Sequence, residues 1–478
     1  MKQIRLLVII LFSIALGMYA CQNTADTSGE DDSESKTNII FILADDLGYG
    51  DLGSYGQQVL NTPNLDQMAQ EGIRFTQAYA GNTVCSPSRS SLMTGLHPGH
   101  ARHRGNYGDY KGHKAYIPFE QGTNTIATHL KDLGYTTALI GKWHLGGTIA
   151  DSTSPNFMGF DHYFGNFKNF LWTQKVKASM RGKIEPMHND TIWRNQDLVI
   201  IEENLNQAKQ KHNDDLYTEE ALRYLALPKD QPFFLYLSYH TPHAPQLPYD
   251  EGPYAKKEWP EVERKFAADV YSLDRYVGKV LQTLKKLEID DNTLVIFSSD
   301  NGAHSEGGHD HTFFDSNGSL RGYKRDMYDG GIKVPMIARW PAKIKGGRTT
   351  DHICAFWDLM PTFTDVAGKK VTTNTDGISF LPTLLGQVED QEQHDYLYWE
   401  IMEQGGRQGV RMGKWKGIRY EVDNNGFDTP IELYDVSLDE GEQDNIAVQH
   451  PEVAGRIEQI MKEARVPNQF FKFTWEQH

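Results

Sequence analysis

The chain has 478 residues, of which 39% are hydrophobic and 23% charged, the balance of an ordinary globular protein with room for one large domain or several smaller ones. Its formal net charge of −16 argues against nucleic acid as the main partner, because a phosphate backbone needs a basic surface. An anionic small substrate stays open wherever a local cluster of Lys, Arg, His and metal reverses the field inside a cleft.

The N-terminus reads as a leader rather than as fold. Lys2 and Arg5 precede the apolar run LLVIILFSIAL (6–16), which is shorter than the roughly 20 residues a membrane helix needs, so residues 1–20 are expected to be a secretory signal. A small residue, Ala20, then stands before Cys21, which resembles a bacterial lipoprotein cleavage site and implies a lipid anchor to the membrane at Cys21. Residues 22–37 are acidic and lack large apolar side chains, the composition of a flexible tether. The expected location is exported, in the periplasm or on the cell surface.

Four short apolar runs follow: NIIFILADD (38–46), TTALIGKWH (136–144), FFLYLSYHTPH (233–243) and TLVIFSSDNG (293–302). Such runs read as strands buried on both faces. Helical spacings of three and four lie between them, at 64–71, 124–133, 215–226 and 261–287. This alternation predicts an α/β fold, a large and mostly parallel sheet sandwiched by helices, over residues 38–383. Residues 147–200, rich in Asn, Trp and Phe, are expected to be irregular loops at the site mouth. The pattern changes after about residue 384. Short strands at 396–401, 407–413, 415–420 and 431–436 and a helix at 451–465 predict a C-terminal α+β subdomain, 384–478.

In such sheets ligands bind at the carboxyl ends of the strands. Those ends carry Asp45 and Asp46, Lys142 and His144, His240 and His243, and Asp300 and Asn301. Adjacent carboxylates repel unless a cation sits between them. The oxygen set Asp45, Asp46, Asp300 and Asn301 suits a hard cation, calcium or magnesium, where zinc would want His or Cys. In CSPSRSSLMTG (85–95), Ser86 fits a helix N-cap, Pro87 the first helical position and Gly95 the position past the end. Cys85 would then stand just before a helix N-terminus, where exposed amides favour negative charge, with Arg89 reaching back from the first turn. From composition alone, Cys85 could be a reactive thiolate. Two cysteines in an exported chain also allow a disulfide, but Cys354 in HICAFWDLMPTF (352–363) has the surroundings of a buried core thiol. Lys142 and His144 are two apart, so in extended chain they would face one way and Trp143 the other.

Cys-x-Pro-x-Arg followed by Thr-Gly resembles the signature of the formylglycine-dependent sulfatases. ADDLGYGD (44–51), GKWHLG (141–146), HTPHAP (240–245), SDNG (299–302), LRGYKRDMYDGGIKVP (320–335) and ELYDVSLDEGEQDNIA (432–447) resemble segments of that family in its order. The resemblance covers about residues 37–465 and implies an alkaline-phosphatase-like fold. It implies that a maturation enzyme oxidises Cys85 to formylglycine, and that Asp45, Asp46, Asp300, Asn301 and modified Cys85 hold calcium, with magnesium as the alternative. One hydroxyl of the hydrated aldehyde would attack sulfur, and the second would expel sulfate. Lys142 and Lys324 would clamp the sulfate oxygens, Arg89 would hold the nucleophile, His243 would protonate the leaving oxygen and His144 would act as base. His240, and His100 and Arg104 in LHPGHARHRGN (96–106), are expected to bind substrate, with GHDHTFF (308–314) and Trp172 as further candidates. The expected substrate is a sulfated carbohydrate, a glycosaminoglycan or algal fragment of galactose or N-acetylgalactosamine type. The competing readings are a phosphatase or phosphodiesterase of the same superfamily and a non-catalytic glycan-binding lipoprotein.

Overall fold

The computed structural model describes residues 36–146, 152–166 and 187–476. The signal, Cys21, the tether up to residue 35 and Trp172 lie outside the described residues. Among the described residues, no helix is long and apolar enough to cross a membrane.

The apolar runs become the centre of a ten-stranded sheet. Its strands are β1 (Asn38–Asp45), β2 (Ile73–Phe75), β3 (Thr136–Lys142), β4 (His162–Asn166), β5 (Thr191–Arg194), β6 (Asp197–Ile200), β7 (Phe233–Pro242), β8 (Thr293–Ser299), β9 (Met336–Arg339) and β10 (Arg348–Thr350). They lie in the order β10-β2-β9-β8-β1-β7-β3-β4-β5-β6. The inner strands from β8 to β4 run parallel. Antiparallel pairs flank them, β8–β9–β2 on one side and β4–β5–β6 on the other. The stretch expected to be irregular therefore contains three strands. β4 and β5 are short, and Gly165 interrupts β4, so they carry no readable alternation; β4 is ordered by pairing with β3, and β5 by pairing with β4.

Side chains alternate across a strand, and both faces of β1 are apolar. Ile39, Phe41 and Leu43 pack with Leu92 and Met93 of helix Cys85–Thr94, Leu130 of Ile126–Asp132 and Phe363 of Leu359–Val366. Ile40 and Ile42 face the other way, onto Leu65 and Met68 of Pro63–Glu71, Tyr217 of Asn213–Ala226 and Phe266 of Glu261–Lys286. Each such side chain contributes roughly 1.5–3 kcal/mol on burial, which holds the strand ends rigid. Register then sets the strand ends side by side: Ala44 pairs with Ser299, Asp45 with Pro242 and Lys142 with Asn166. Gly141 permits β3 to lie this close to β7, where it pairs with Ser238. Its φ is 114°, and a Cβ there would stand 1.8 Å from the Ser238 carbonyl oxygen.

After residue 384 the chain builds a second sheet from β11 (Leu397–Ile401), β12 (Arg407–Met412), β13 (Trp415–Arg419) and β14 (Glu432–Asp435), antiparallel throughout. Helix Pro451–Glu463 covers one face through Ile457, Ile460 and Met461. The other face presses Trp399, Ile401 and Ile418 onto Tyr79, Val84, Met327 and Trp357. The break near residue 384 is a change of sheet, and residues 37–478 form one compact unit. Trp399 Nε1 donates to the Ala80 carbonyl at 3.0 Å, and Asn82 Nδ2 to the Glu400 carbonyl at 2.9 Å. The segment leading into Cys85 is thereby fixed by β11. Trp399→Ala is expected to cost about 3–5 kcal/mol, as for other buried Trp truncations, read from denaturant unfolding. A loss below about 1 kcal/mol would show that the seam is not packed as described.

Candidate active site

Cys85 opens the helix Cys85–Thr94, with Val84 as an extended N-cap and Gly95 closing it in the left-handed region at φ 67°. Ser86 is thus inside the first turn and does not cap it. Its Oγ donates to the His144 carbonyl at 3.2 Å, and its N–H to Asn106 Oδ1 at 3.2 Å. The Cys85 thiol donates to Asp45 Oδ1 at 3.3 Å. Burial, and then the Asp45 carboxylate, push this thiol well above its ordinary range. These surroundings disfavour a thiolate, and Cys85 is not in a disulfide: both Cys85 and Cys354 are free and buried.

Ligand atoms of Asp45, Asp46, Cys85 and His243 all come within 4.8 Å of one another, and all four residues are buried. Asp300 lies beside them. Its Oδ1 accepts from the Asp46 N–H at 3.1 Å and its Oδ2 from Arg89 Nε at 2.9 Å. Asn301 Nδ2 donates to Asp46 Oδ1 at 2.8 Å. Three cations face the three carboxylates. Lys142 Nζ bonds Asp45, Lys324 Nζ bonds Asp46 Oδ2 at 2.7 Å, and Arg89 Nη2 lies 2.8 Å from Asp300 and 3.7 Å from Asp45. Arg89 Nη1 also donates to Ser238 Oγ and to the Lys142 carbonyl, so Arg89 reaches residue 85 by way of Asp45. Burial alone would raise all three carboxyls. Lys142 holds Asp45, and Lys324 holds Asp46, below the usual carboxylate range. Burial and neighbouring Asp45 push Asp300 up to about 7.

These residues suit a hard cation. Asn301 Oδ1 is buried and accepts no hydrogen bond among the described residues, although a buried carbonyl oxygen costs free energy when unpaired. Asp300 is poised to hold a proton that a divalent charge would replace. The donors are mostly oxygens, as calcium or magnesium prefers.

The histidines differ. His243 directs Nδ1 at the Ala244 carbonyl, which turns Nε2 toward Asp46 Oδ2 at 3.6 Å. Burial lowers its pKa despite Asp46. His144 is not in extended chain as expected: its φ is 60°, and its ring stacks on Tyr116 at 5.7 Å and 7°. Burial, then Lys142, hold its pKa well down, so it is a neutral imidazole. Trp143 is in the core, as the strand phase required. His240 stacks on Tyr217 at 5.6 Å, and its backbone N–H is held by Asp214 at 3.1 Å.

The expected substrate loop is largely structural. Arg104 is buried, its guanidinium bonded to Glu400 and to the carbonyls of Gly99 and Val466, which clamps the loop to β11 and leaves no edge for a sugar. His100 Nδ1 lies 2.8 Å from Asp376 Oδ1, and its ring stacks on His97 at 4.2 Å. His309 of GHDHTFF is buried against Glu263 at 2.6 Å and stacks on Phe266. In each case the ring or guanidinium already has a protein partner.

Sequence reasoning missed Glu306 and His304. Glu306 Oε2 accepts from Lys324 Nζ at 2.9 Å and its Oε1 from Arg325 Nη1 at 2.7 Å. His304 is buried near Asp46, with Nδ1 accepting from the Glu306 N–H at 3.0 Å and Nε2 3.2 Å from the Pro242 carbonyl. The signal was AHSE (303–306), directly after SDNG, but a loop without strand phase does not say which way its side chains point.

Residues 37–369 match the Sulfatase family model, and residues 310–466 match the model described as N-sulphoglucosamine sulphohydrolase, C-terminal. An N-acetylgalactosamine-6-O-sulfatase of Bacteroides thetaiotaomicron is 29% identical over 97% of this chain and 100% of its own length. The N-acetylgalactosamine-6-sulfatase of Rattus norvegicus is 34% identical over 79% of this chain and 70% of its own. Among solved structures, Ps i-CgsB in complex with k-i-k-neocarrahexaose superposes with a TM-score of 0.77 at 28% identity, covering 93% of this chain and 96% of that one. With its mixed sheet, its separate antiparallel sheet and its Cys85 cluster, the chain belongs to the sulfatase family and is a sulfuric ester hydrolase.

Proposed function

We propose that this protein removes sulfate from a sulfated carbohydrate, with formylglycine made from Cys85 as the nucleophile and calcium held by Asp45, Asp46, Asp300, Asn301 and residue 85. The observation that carries this reading is the buried convergence of Asp45, Asp46, Cys85 and His243 between Lys142 and Lys324. Three cations against three carboxylates leave the protein part balanced, so a bound divalent ion makes the pocket net positive, as an anionic ester requires. When bound, calcium supplies charge that favours an ionised hydroxyl at residue 85 and offsets charge on the ester oxygens.

The chain's own residues do the rest. An unmodified thiol with a raised pKa would be a poor nucleophile here, whereas an aldehyde hydrate offers one hydroxyl to attack and a second to expel sulfate. Lys142 and Lys324, fixed by Asp45 and Asp46, hold the sulfate oxygens. His243 is oriented by Ala244, so Nε2 is the atom that delivers a proton to the leaving oxygen. His144, neutral and buried on Tyr116, takes a proton during sulfate release.

The names of the relatives favour N-acetylgalactosamine or galactose sulfates as substrates. Export, a lipid anchor at Cys21 and a formylglycine-generating partner complete the reading. The test is release of inorganic sulfate from N-acetylgalactosamine 6-sulfate and galactose 6-sulfate. Activity should vanish on chelation and return with calcium, and Asp46→Ala should lose metal and turnover together. Stoichiometric zinc without calcium, or release of phosphate but not sulfate, would overturn it. His243→Ala should lose about 10²–10⁴-fold on a sugar sulfate, the usual range for a general acid, and far less on a nitrophenyl sulfate, whose phenolate leaves without a proton. Equal losses on both substrates would remove His243 from that role.

A further inference from the structure

The loop after β8 carries a carboxylate that charge balance does not call for. Lys324, 2% exposed along its side chain, already has a counter-charge in Asp46, whose Oδ2 lies 2.7 Å from its Nζ. Glu306 adds a second, with Oε2 2.9 Å from the same Nζ. Arg89, Lys142 and Lys324 match Asp45, Asp46 and Asp300 without it. Ligand atoms of Asp46, His304 and Glu306 come within 4.8 Å of one another, so Glu306 stands close to the buried centre while 30% of its side chain stays exposed. A further negative charge in that position is unfavourable beside like charges and works against the binding of any anion.

The fold nevertheless holds it there. The Glu306 N–H donates to His304 Nδ1 at 3.0 Å, and His304 Nε2 lies 3.2 Å from the Pro242 carbonyl and 3.3 Å from Gln246 Nε2. Both ring nitrogens of His304 are thus spent on fixing this turn to the end of β7, and neither is left for a metal ion. Gly307 follows in the left-handed region, at φ 67°. On the outer side Arg325 Nη1 donates to Glu306 Oε1 at 2.7 Å, and Arg325 Nε is 3.6 Å from Glu403 Oε2. Arg325 is therefore shared between two carboxylates, and it meets Glu306 on the oxygen that does not face Lys324.

A charge fixed in this way distinguishes anions that shape does not. Sulfate and phosphate monoesters are both tetrahedral, but the sulfate carries one negative charge and the phosphate about one and a half to two at neutral pH. A fixed carboxylate repels a dianion twice as strongly as a monoanion at the same place, because Coulomb energy follows the product of the charges. We infer that Glu306 is a specificity-determining residue, which sets the preference for singly charged sulfate esters over doubly charged phosphate esters by holding one negative charge against Lys324 at the rim of the anion site. The inference rests on the reading that Lys324 faces the oxygens of the ester, and adds to it a charge filter.

The test measures dissociation constants of two unreactive anions of one shape, benzenesulfonate and phenylphosphonate, on the mature, metal-loaded protein, at a pH where the phosphonate carries two charges. Neither has a sugar, so the readout is independent of the carbohydrate and of turnover. In Glu306→Gln the sulfonate should bind about tenfold more tightly and the phosphonate about a hundredfold, so their ratio shifts about tenfold toward the dianion. Glu306→Ala, which leaves no amide to bond Lys324, should shift the ratio alike, and Glu306→Asp, which keeps the charge, should stay near the parent. Lys324 keeps Asp46 in every variant. A ratio that moves less than about twofold in both charge-removing variants, or moves toward the monoanion, overturns the role of Glu306 and leaves the anion site standing. If neither anion binds the parent protein or any variant, the anion site between Lys142 and Lys324 fails and the filter falls with it.

Discussion

Three carboxylates, Asp45, Asp46 and Asp300, are packed out of water at the end of two neighbouring parallel strands, and most of what surrounds them exists to make that tolerable. Isolated charges in such a place cost several kcal/mol each unless paired and hydrogen-bonded. Arg89, Lys142 and Lys324 arrive from a helix, a strand end and a loop to meet them. The pairing is incomplete in a telling way: Asp300 is still pushed up to about 7, and Asn301 Oδ1 accepts nothing among the described residues. A cluster balanced in this manner has a place for one more positive charge, and with that charge added it attracts an anion. In the proposed reading that added charge is what draws in the anionic ester.

The second sheet has a part in the chemistry although no catalytic group lies on it. β11 holds the segment before Cys85 through Trp399 and Glu400, and Glu400 also anchors Arg104 in the loop after that helix. Lys416 of β13 bonds the buried Asp329 at 2.6 Å, and Tyr79 bonds the same carboxylate at 3.1 Å. The nucleophile helix is thus gripped on both sides by structure contributed about 300 residues later in the chain.

Much of this was legible before any coordinates. The four inner strands and the long helices carried strong periodicity, and the paired acidic residues at strand ends pointed to one cluster, which the structure brings together around Asp45, Asp46 and Asp300. What was not legible depends on tertiary context. Ser86 reads as a cap, yet its hydroxyl goes to His144, and Val84 precedes the helix without a side-chain cap. β4 to β6 form because β3 offers an edge to pair with, which no local pattern encodes. The histidines and arginines at 97–104 look like a ligand-gripping loop by composition, but Asp376 and Glu400, distant in sequence, take up His100 and Arg104. Glu306 and His304 were hidden for the converse reason: they sit on a loop without strand phase, and only the fold turns them toward Asp46.

The account stands on residue 85. Burial and the Asp45 carboxylate push the Cys85 thiol well above its ordinary range, and the proposed reading has residue 85 act as formylglycine instead. The most direct measurement is the mass and carbonyl reactivity of the peptide spanning residue 85, taken from protein with demonstrated sulfate-releasing activity. The account predicts an aldehyde in a fraction of molecules that tracks specific activity across preparations. A fully active preparation in which every molecule keeps the Cys85 thiol would contradict it.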